Sequence, residues 1–129
     1  MIRIETPENL EQIYACQRRF ETPWFFPASY EAWENSFLRD VDGAGRPLFS
    51  SLVVKAAYED DRLLGFIQYG NTAFGFDEGG GISSRVSYCV IRNLYFAEGR
   101  DDAGTLLLRQ ALEVSRRENG CMHFSIILA

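Results

Sequence analysis

The sequence predicts a mixed α/β fold in one domain, because three patterns follow one another along the chain. The first forty residues place apolar side chains at the three- and four-residue spacing of helices, whereas residues 49–96 carry the β-rich, partly alternating pattern of strands. A second helical pattern then leads into a short apolar segment. With 129 residues and 47% apolar composition, the chain can bury one hydrophobic core.

The first part of the chain predicts a short strand followed by two helices. Met1–Glu5 alternates weakly and predicts the strand. A helix start follows, with Thr6 as N-cap and Pro7 at the first helical position, where a missing N–H does no harm. Prolines interrupt the segment after Phe20, and a second helix is predicted over Ser29–Arg39.

The middle of the chain predicts an antiparallel meander of three strands. Phe49–Glu59 and Arg62–Tyr69 are rich in apolar and β-branched residues and flank a short acidic turn, which is typical of a hairpin. A glycine-rich loop, NTAFGFDEGGGISS, precedes a third and longer strand over Arg85–Phe96. We expect this loop to be a mobile hairpin connection rather than a phosphate cradle, because no lysine follows its glycines.

The remaining residues predict a crossover unit. Asp102–Arg117 has a helical apolar face, and Asn119 and Gly120 then stop the helix. Cys121–Leu128 is apolar enough for a central strand. A right-handed crossover makes this strand parallel to the one before the helix. The predicted order is β-α-α-β-β-β-α-β, with helices on both faces of a mixed sheet.

Composition excludes several classes of function. A net charge of −5, with Lys55 as the only lysine, argues against a nucleic-acid partner. The cysteines at 16, 89 and 121 are far apart and His123 is the only histidine, so we expect no metal site. No apolar run approaches the ~20 residues that span a bilayer, and the N-terminal residues lack a signal-peptide pattern. We therefore expect no membrane contact and a cytoplasmic protein.

The stretch NLYFAEGRDDAGTLLL (Asn93–Leu108) joins the end of a strand to a glycine-containing turn and a helix. Together with the element order, it resembles the GNAT acyltransferase superfamily. In that family a V-x-x-L-x-V strand leads into a Q/R-x-x-G-x-G/A loop and a helix with an early Leu-Leu pair. Here VIRNLYF corresponds to the strand and Arg100–Thr105 to the loop. The resemblance covers nearly the whole chain as topology and Val90–Leu112 as sequence.

Two registers of this loop remain open. In the first, Gly104 takes the last glycine position and Asp102 falls at the earlier one. In the second, Arg100 takes the Q/R position, and Ala103 and Thr105 take the two glycine positions. Both registers place Asp101 and Asp102 beside the helix start. An alternative interpretation is that one of them is the N-cap residue and its charge lies at the positive end of the helix.

The resemblance implies acetyl-CoA as the cofactor. Free N–H groups at the helix start favour its pyrophosphate, and the preceding strand pairs with its pantetheine arm. Asp101 and Asp102 bring negative charge to the same place, which opposes a diphosphate unless the side chains turn away. The residues that the resemblance implies for cofactor binding are Leu94, Tyr95, Arg100, Asp102, Ala103, Gly104 and Thr105.

Acetyl transfer to an amine needs a base for the amine proton and an acid for the leaving thiolate. We assign Glu98 as the candidate base and Tyr95 as the candidate acid. In the family a tyrosine on a helix after the fifth strand commonly supplies the acid, and two further strands complete the acceptor pocket. We expect residues 1–129 to form a single GNAT-like domain that lacks this helix and these strands.

Three functions remain as hypotheses. The first is an acetyl-CoA-dependent N-acetyltransferase that acts on a small amine. The second is a non-catalytic GNAT-like domain that serves as a binding or structural module, paired with a second copy or a second GNAT-like domain. The third is an unrelated α+β ligand-binding domain. Its pocket would be lined by Trp24, Phe25, Phe26, Tyr30 and Trp33.

Overall fold

A computed structural model describes residues 1–20, 29–39, 45–119 and 124–126. The helices are α1 (Glu11–Phe20), α2 (Tyr30–Arg39) and α3 (Asp101–Asn119). The strands are β1 (Arg3–Glu5), β2 (Phe49–Glu59), β3 (Arg62–Thr72), β4 (Gly75–Phe76), β5 (Ile82–Ser83), β6 (Cys89–Phe96) and β7 (Phe124–Ile126).

Five of the strands form one twisted sheet in the order β1-β2-β3-β6-β7. The pairs from β1 to β6 are antiparallel, and β7 lies parallel to β6 with Phe124 opposite Cys89. This arrangement confirms the predicted meander and crossover. A difference lies in the glycine-rich loop, where β4 and β5 add a separate two-stranded hairpin.

Helices cover both faces of the sheet. Ala56 and Ala57, which are neighbours in β2, are both fully buried but belong to different apolar clusters. The first cluster packs α3 against one face and includes Ile67, Ile91, Leu107 and Ala111. The second packs α1 and α2 against the other and includes Ile13, Trp33, Phe37 and Phe66. The alternation of side chains along a strand explains this division.

The start of α1 differs from the prediction. The Asn9 Oδ1 atom accepts a hydrogen bond from the Gln12 N–H at 3.3 Å, which makes Asn9 the N-cap. Thr6 instead accepts a hydrogen bond at 2.9 Å from Lys55 on β2. The assignment of Thr6 and Pro7 as the helix start is therefore wrong, because tertiary contact with the sheet takes the Thr6 hydroxyl.

The start of α2 and the turn between β2 and β3 lie close to their predicted positions, whereas β6 begins later than predicted. Ser29 Oγ accepts the Ala32 N–H at 3.2 Å and caps α2, so the helix predicted over Ser29–Arg39 begins one residue later, at Tyr30. The turn between β2 and β3 has positive φ at both Asp60 and Asp61, as a tight hairpin requires. The long strand predicted from Arg85 begins only at Cys89.

The glycine-rich loop is organised by one carboxylate. Asp77 Oδ1 accepts the N–H groups of Gly79 at 3.0 Å and Gly81 at 2.8 Å, and these bonds close the turn between β4 and β5. The Tyr88 hydroxyl accepts the Phe76 N–H at 3.1 Å, which fastens the hairpin to the residues before β6. These hydrogen bonds form a two-stranded hairpin that is attached to the rest of the protein, whereas the sequence predicted only a mobile connection.

Candidate functional site

A β-bulge interrupts β6 in its middle. Gln68 of β3 lies opposite Asn93, but the next residue, Tyr69, lies opposite Ile91, so Arg92 is an extra residue in the ladder. The side chains of Arg92 and Asn93 both contact groups on the α1/α2 side of the sheet. The bulge therefore lies one residue before Asn93.

The bulge determines which face the next side chains reach. Tyr95 stacks on Phe66 with ring centroids 5.3 Å apart, and both belong to the cluster beneath α1 and α2. Leu94 packs against the opposite cluster, beneath α3. Tyr95, the candidate acid, is thus on the face that α1 and α2 cover, and Leu94 is on the other.

The edge of β6 that faces β7 is only partly paired. β3 pairs with β6 along its whole length, whereas β7 pairs with it only at Cys89, Val90 and Ile91. Among the residues that the structure describes, no strand lies beside Asn93–Phe96 on the β7 side. Backbone N–H and C=O groups on such an edge can pair with an extended ligand as with another strand.

A short turn connects β6 to α3. The Ala97 N–H donates to Leu64 O at 2.8 Å, and the Arg100 N–H donates to Ala97 O at 2.9 Å across Gly99, whose φ is +80°. A left-handed φ of this kind is the reason for a glycine at this position. Glu98, the candidate base, is an exposed residue within this turn.

Arg100 begins the helix. Its carbonyl accepts the N–H groups of Ala103 at 3.0 Å and Gly104 at 3.4 Å, so Arg100 occupies the N-cap position. Asp101 and Asp102 follow in the first turn, where negative charge favours the positive end of the helix dipole. The alternative interpretation of an aspartate at the N-cap itself is therefore wrong, although the acidic first turn is present.

The Arg100 guanidinium joins two carboxylates. Its two terminal nitrogens donate to Glu59 at 2.9 and 3.1 Å, and its Nε and one terminal nitrogen donate to Asp102 at 3.1 Å each. These hydrogen bonds lower the pKa of the Glu59 carboxyl and of the Asp102 carboxyl, and they raise the pKa of Arg100. The end of β2 is thereby tied to the first turn of α3.

Gly104 allows α3 to approach β6 closely. A Cβ atom at this position would lie 2.6 Å from the Phe96 ring, which is well inside contact distance. Ala103 beside it is fully buried in the α3 cluster, whereas Thr105 is exposed. The glycine thus has a packing role at the helix–strand contact, as well as any role beside a ligand.

The β6 side of the junction suits acetyl-CoA better than the first turn of α3 does. The β7 side of β6 matches an extended amide-containing arm, because the described part of β7 pairs only with Cys89, Val90 and Ile91. The first turn of α3 already holds the Asp102 carboxylate, which accepts two hydrogen bonds from the Arg100 guanidinium. A diphosphate at the helix start would therefore require Asp102 to turn away.

Sequence reasoning missed Gln68, Arg92 and Glu59. Gln68 is fully buried and hydrogen-bonds both Arg92 and Asn93, so it lies at the centre of the bulge. A glutamine within the apolar run LLGFIQY was the available signal, because a buried amide needs polar partners. No local pattern indicates Glu59, whose partner lies 41 residues away.

Other kinds of site find little support. The described ranges contain no group of three or more His, Cys, Asp or Glu residues that could hold a metal ion. They also contain no helix that is long and apolar enough to cross a membrane. Cys16 and Cys89 are buried free thiols, and burial raises the pKa of Cys16. His123, Cys121, Trp24, Phe25 and Phe26 lie outside the described residues.

The sequence matches no protein-family model and no curated protein. Solved structures nevertheless share its fold. A protein of Clostridium acetobutylicum, described as a predicted acetyltransferase and solved with acetyl-CoA, superposes with a TM-score of 0.67 at 11% identity, covering 100% of this chain and 82% of that one. An aminoglycoside N-acetyltransferase in complex with CoA superposes with a TM-score of 0.64 at 13% identity, covering 100% and 76%.

The fold is also shared with a protein of a different description. A transcriptional regulator from Bacillus halodurans superposes with a TM-score of 0.61 at 18% identity, covering 100% of this chain and 81% of that one. Identities this low establish the fold and leave the chemistry to the residues of the site. These comparisons show that the chain shares the fold of solved structures that are described as acetyltransferases.

Proposed function

We propose that the chain is an acetyl-CoA-dependent N-acetyltransferase that acts on a small amine. The observation that carries this proposal is the bulged strand β6 and the short turn that leads from it directly into the first turn of α3. A ligand with an extended amide arm and a diphosphate end matches this sequence of strand edge and helix start.

The proposed cofactor contacts follow from this arrangement. Main-chain groups of Leu94 and Tyr95 would pair with the pantetheine arm, because they lie between the bulge of β6 and the start of α3. The segment from Arg100 to Thr105, including Asp102, Ala103 and Gly104, would surround the diphosphate. When bound, acetyl-CoA supplies an acetyl group that is activated as a thioester.

Two side chains are proposed to move protons. Glu98 is exposed in the turn after β6 and would accept the amine proton, directly or through water. Tyr95 is half-buried on the face covered by α1 and α2 and would donate to the leaving sulfur. Both belong to the short segment between the bulge of β6 and the start of α3, which supports their assignment.

Calorimetry with acetyl-CoA tests the proposed cofactor. We expect saturable heat with acetyl-CoA and with CoA, and weaker binding of ATP, which has phosphates but no pantetheine arm to pair with β6. Release of free thiol in the presence of primary amines then tests the transfer. An absence of heat with millimolar acetyl-CoA would remove the proposal.

A second function is supported by one specific observation. Arg100, Glu59 and Asp102 satisfy one another's charges at the helix start, as in a junction built for stability. The alternative is therefore a non-catalytic GNAT-like domain that acts as a binding or structural module, together with a second copy or a second GNAT-like domain. Light scattering that shows a monomer, combined with clear acetyl-CoA binding, would count against it.

A further inference from the structure

The β4–β5 hairpin presents a pair of apolar side chains to solvent. Phe76 and Ile82 lie opposite each other in the two strands, so their side chains share one face. A Cβ atom at Gly75 would meet the side chains of Val86 and Tyr88, so the alternation along the strand points the next side chain, Phe76, away from the protein. Phe76 is 57% exposed and Ile82 is 72% exposed. Adjacent large apolar side chains on an exposed face are typical of a contact surface.

The tip of the same hairpin is acidic. The Asp77 carboxylate binds the N–H groups of Gly79 and Gly81, and these bonds fix the shape of the turn. Glu78 is exposed and forms no ion pair with a residue that the structure describes. The hairpin therefore carries an apolar pair beside two negative charges.

A basic groove lies along the second half of α3. It has a volume of about 670 Å³, and the described residues that line it are Arg109, Leu112, Glu113, Arg116 and Arg117. Their spacing along the chain puts all five on one side of the helix. None of the three arginines forms an ion pair with a carboxylate in the described ranges, although Glu113 lies four residues from two of them. This α3 groove therefore combines an excess of positive charge with one apolar side chain.

The hairpin and the α3 groove are complementary in charge and in chemistry. Arginine has an apolar stem and a guanidinium that stacks on aromatic rings, so it suits both Phe76 and Glu78. Leu112 offers an apolar contact for Ile82. Because the whole chain is acidic, with a net charge of −5, a basic groove favours the approach of an acidic segment such as this hairpin.

The two surfaces lie at the same end of the molecule. The Tyr88 hydroxyl accepts the Phe76 N–H at 3.1 Å, and the next residue, Cys89, donates from Sγ to Ser115 Oγ of α3 at 3.2 Å. Ser115 directly precedes Arg116 of the groove. Two copies that meet at this end around a two-fold axis can therefore exchange hairpins, so that each hairpin reaches the other copy's groove. Such a pair of contacts closes the assembly as a dimer.

We propose that the chain forms a two-fold dimer in which the β4–β5 hairpin of each copy docks in the α3 groove of the other. Phe76 and Ile82 of one copy pack on Leu112 of the second copy. Glu78 meets Arg116 across the same contact. This inference is independent of the proposed function, because the junction between β6 and α3 lies at the opposite end of β6. It gives the pairing with a second copy a defined surface, whether or not the chain binds acetyl-CoA.

Sedimentation equilibrium of the wild-type chain, at micromolar to submillimolar concentrations, tests the assembly. We expect a reversible equilibrium between monomer and dimer with a micromolar dissociation constant, because a contact made by two short hairpins is small. A monomer at every concentration would overturn the proposal, and so would growth beyond the dimer.

Phe76→Gln combined with Ile82→Gln tests the apolar pair. The double variant should weaken the dimer about tenfold or more, because it removes apolar contact from both halves of the interface. Both side chains are exposed, so the fold should be kept, and circular dichroism checks this. The matched control is Leu106→Gln, which makes the same kind of change at an exposed position in the first half of α3 and should leave the dissociation constant unchanged. Equal effects of the two changes would contradict the proposed interface.

Charge reversal supplies a test that misfolding cannot imitate. Glu78→Arg alone and Arg116→Glu alone should each weaken the dimer about tenfold, because like charges then meet at both contacts. An equimolar mixture of these two variants should dimerise about as tightly as wild type, because one contact of the mixed dimer is native and the other has its charges exchanged. Arg62→Glu is the control, since it reverses an exposed arginine at the opposite end of the sheet and should have no effect. A mixture that fails to recover, or a single variant that dimerises like wild type, would overturn the proposal.

Discussion

At the scale of single residues, Gly104 and Arg100 have roles at the junction between β6 and α3 that their place in the sequence motif does not predict. Gly104 belongs to a loop pattern associated with phosphate, yet its hydrogen faces the Phe96 ring at a distance that admits no side chain. Arg100 stands at the helix start, yet its donors already meet Glu59 and Asp102. Both residues are therefore constrained by the fold before any ligand binds.

Gly104→Ala tests the packing role of the glycine. Alanine at a free helical position would stabilise the helix by up to ~1 kcal/mol, but here the added carbon overlaps Phe96, and such overpacking costs about 1–3 kcal/mol. We expect a net loss of stability in urea unfolding. Gly79→Ala is the control, because its new carbon would meet only Asp77 at 3.5 Å. An unchanged midpoint for Gly104→Ala would contradict the packing role.

Asp102→Asn tests the conflict between the acidic turn and a diphosphate. Removing one negative charge at a helix start is worth about 0.3–1 kcal/mol to an incoming anion, so acetyl-CoA should bind about twofold to fivefold more tightly. Asp101→Asn is the matched control, since it removes an equal charge from an exposed side chain that makes no ion pair with a described residue. A larger gain in Asp102→Asn would show that the release of Arg100 adds to the effect, and weaker binding in both variants would argue against a diphosphate at this turn.

At the scale of elements, caps and bulges decide where helices and strands begin and which face they present. Asn9 caps α1 although Thr6 and Pro7 have the stronger local pattern, because Lys55 of β2 takes the Thr6 hydroxyl. The bulge at Arg92 moves Tyr95 to the face covered by α1 and α2. Neither outcome follows from the segment considered alone.

The N-cap assignment gives a direct comparison. Asn9→Ala should destabilise the protein by about 0.5–2 kcal/mol, because it leaves a helix N–H without its acceptor. Thr6→Ala removes only an exposed hydrogen bond to Lys55 and should stay within about 0.5 kcal/mol. Thermal or urea unfolding measures both. A larger loss for Thr6→Ala than for Asn9→Ala would restore the helix start that the sequence predicts.

At the scale of the whole molecule, the Arg100 ion pairs join parts of the chain that the sheet alone does not connect. Glu59 ends β2 near the edge of the sheet, whereas Asp102 belongs to the helix that crosses from β6 to β7. Their shared guanidinium lowers the pKa of both carboxyls. Exposure to solvent weakens such pairs, so their contribution is best detected through its dependence on pH.

Stability should therefore depend on pH in the acid range. A carboxyl whose pKa is lowered in the folded state contributes stability that is complete above its unfolded pKa, and the contribution disappears as the pH falls through the folded value. The ordinary pKa values are 4.5 for Glu59 and 3.8 for Asp102, so the loss belongs to more acidic conditions than these. We expect the melting temperature to fall there.

Arg100→Met supplies the control for this pH dependence. Without the guanidinium the two carboxyls lose the main cause of their lowered pKa, so the variant should be less stable near neutrality and should lose less on acidification. The difference in melting temperature between wild type and variant should shrink towards pH 2. A constant difference across the range would exclude these ion pairs as its cause.

The sequence by itself determined the order of elements, the antiparallel meander and the parallel final pair. The periods of the segments Phe49–Glu59 and Asp102–Arg117 are local properties, and the crossover rule then leaves few topologies. The sequence also indicated the strand-loop-helix junction. Local patterns sufficed because each of these features is encoded within one short segment.

Only the tertiary structure decided the chemistry of the site. The partners of Arg100 and Gln68 come from β2 and α2, respectively 41 and 31 residues away, and no periodic pattern specifies such pairings. The orientation of the Asn93 amide depends on both Gln68 and Arg92, so it emerges only when three segments meet. Hydrogen bonds and ion pairs act over a few ångströms of space, and distance along the chain carries little information about them.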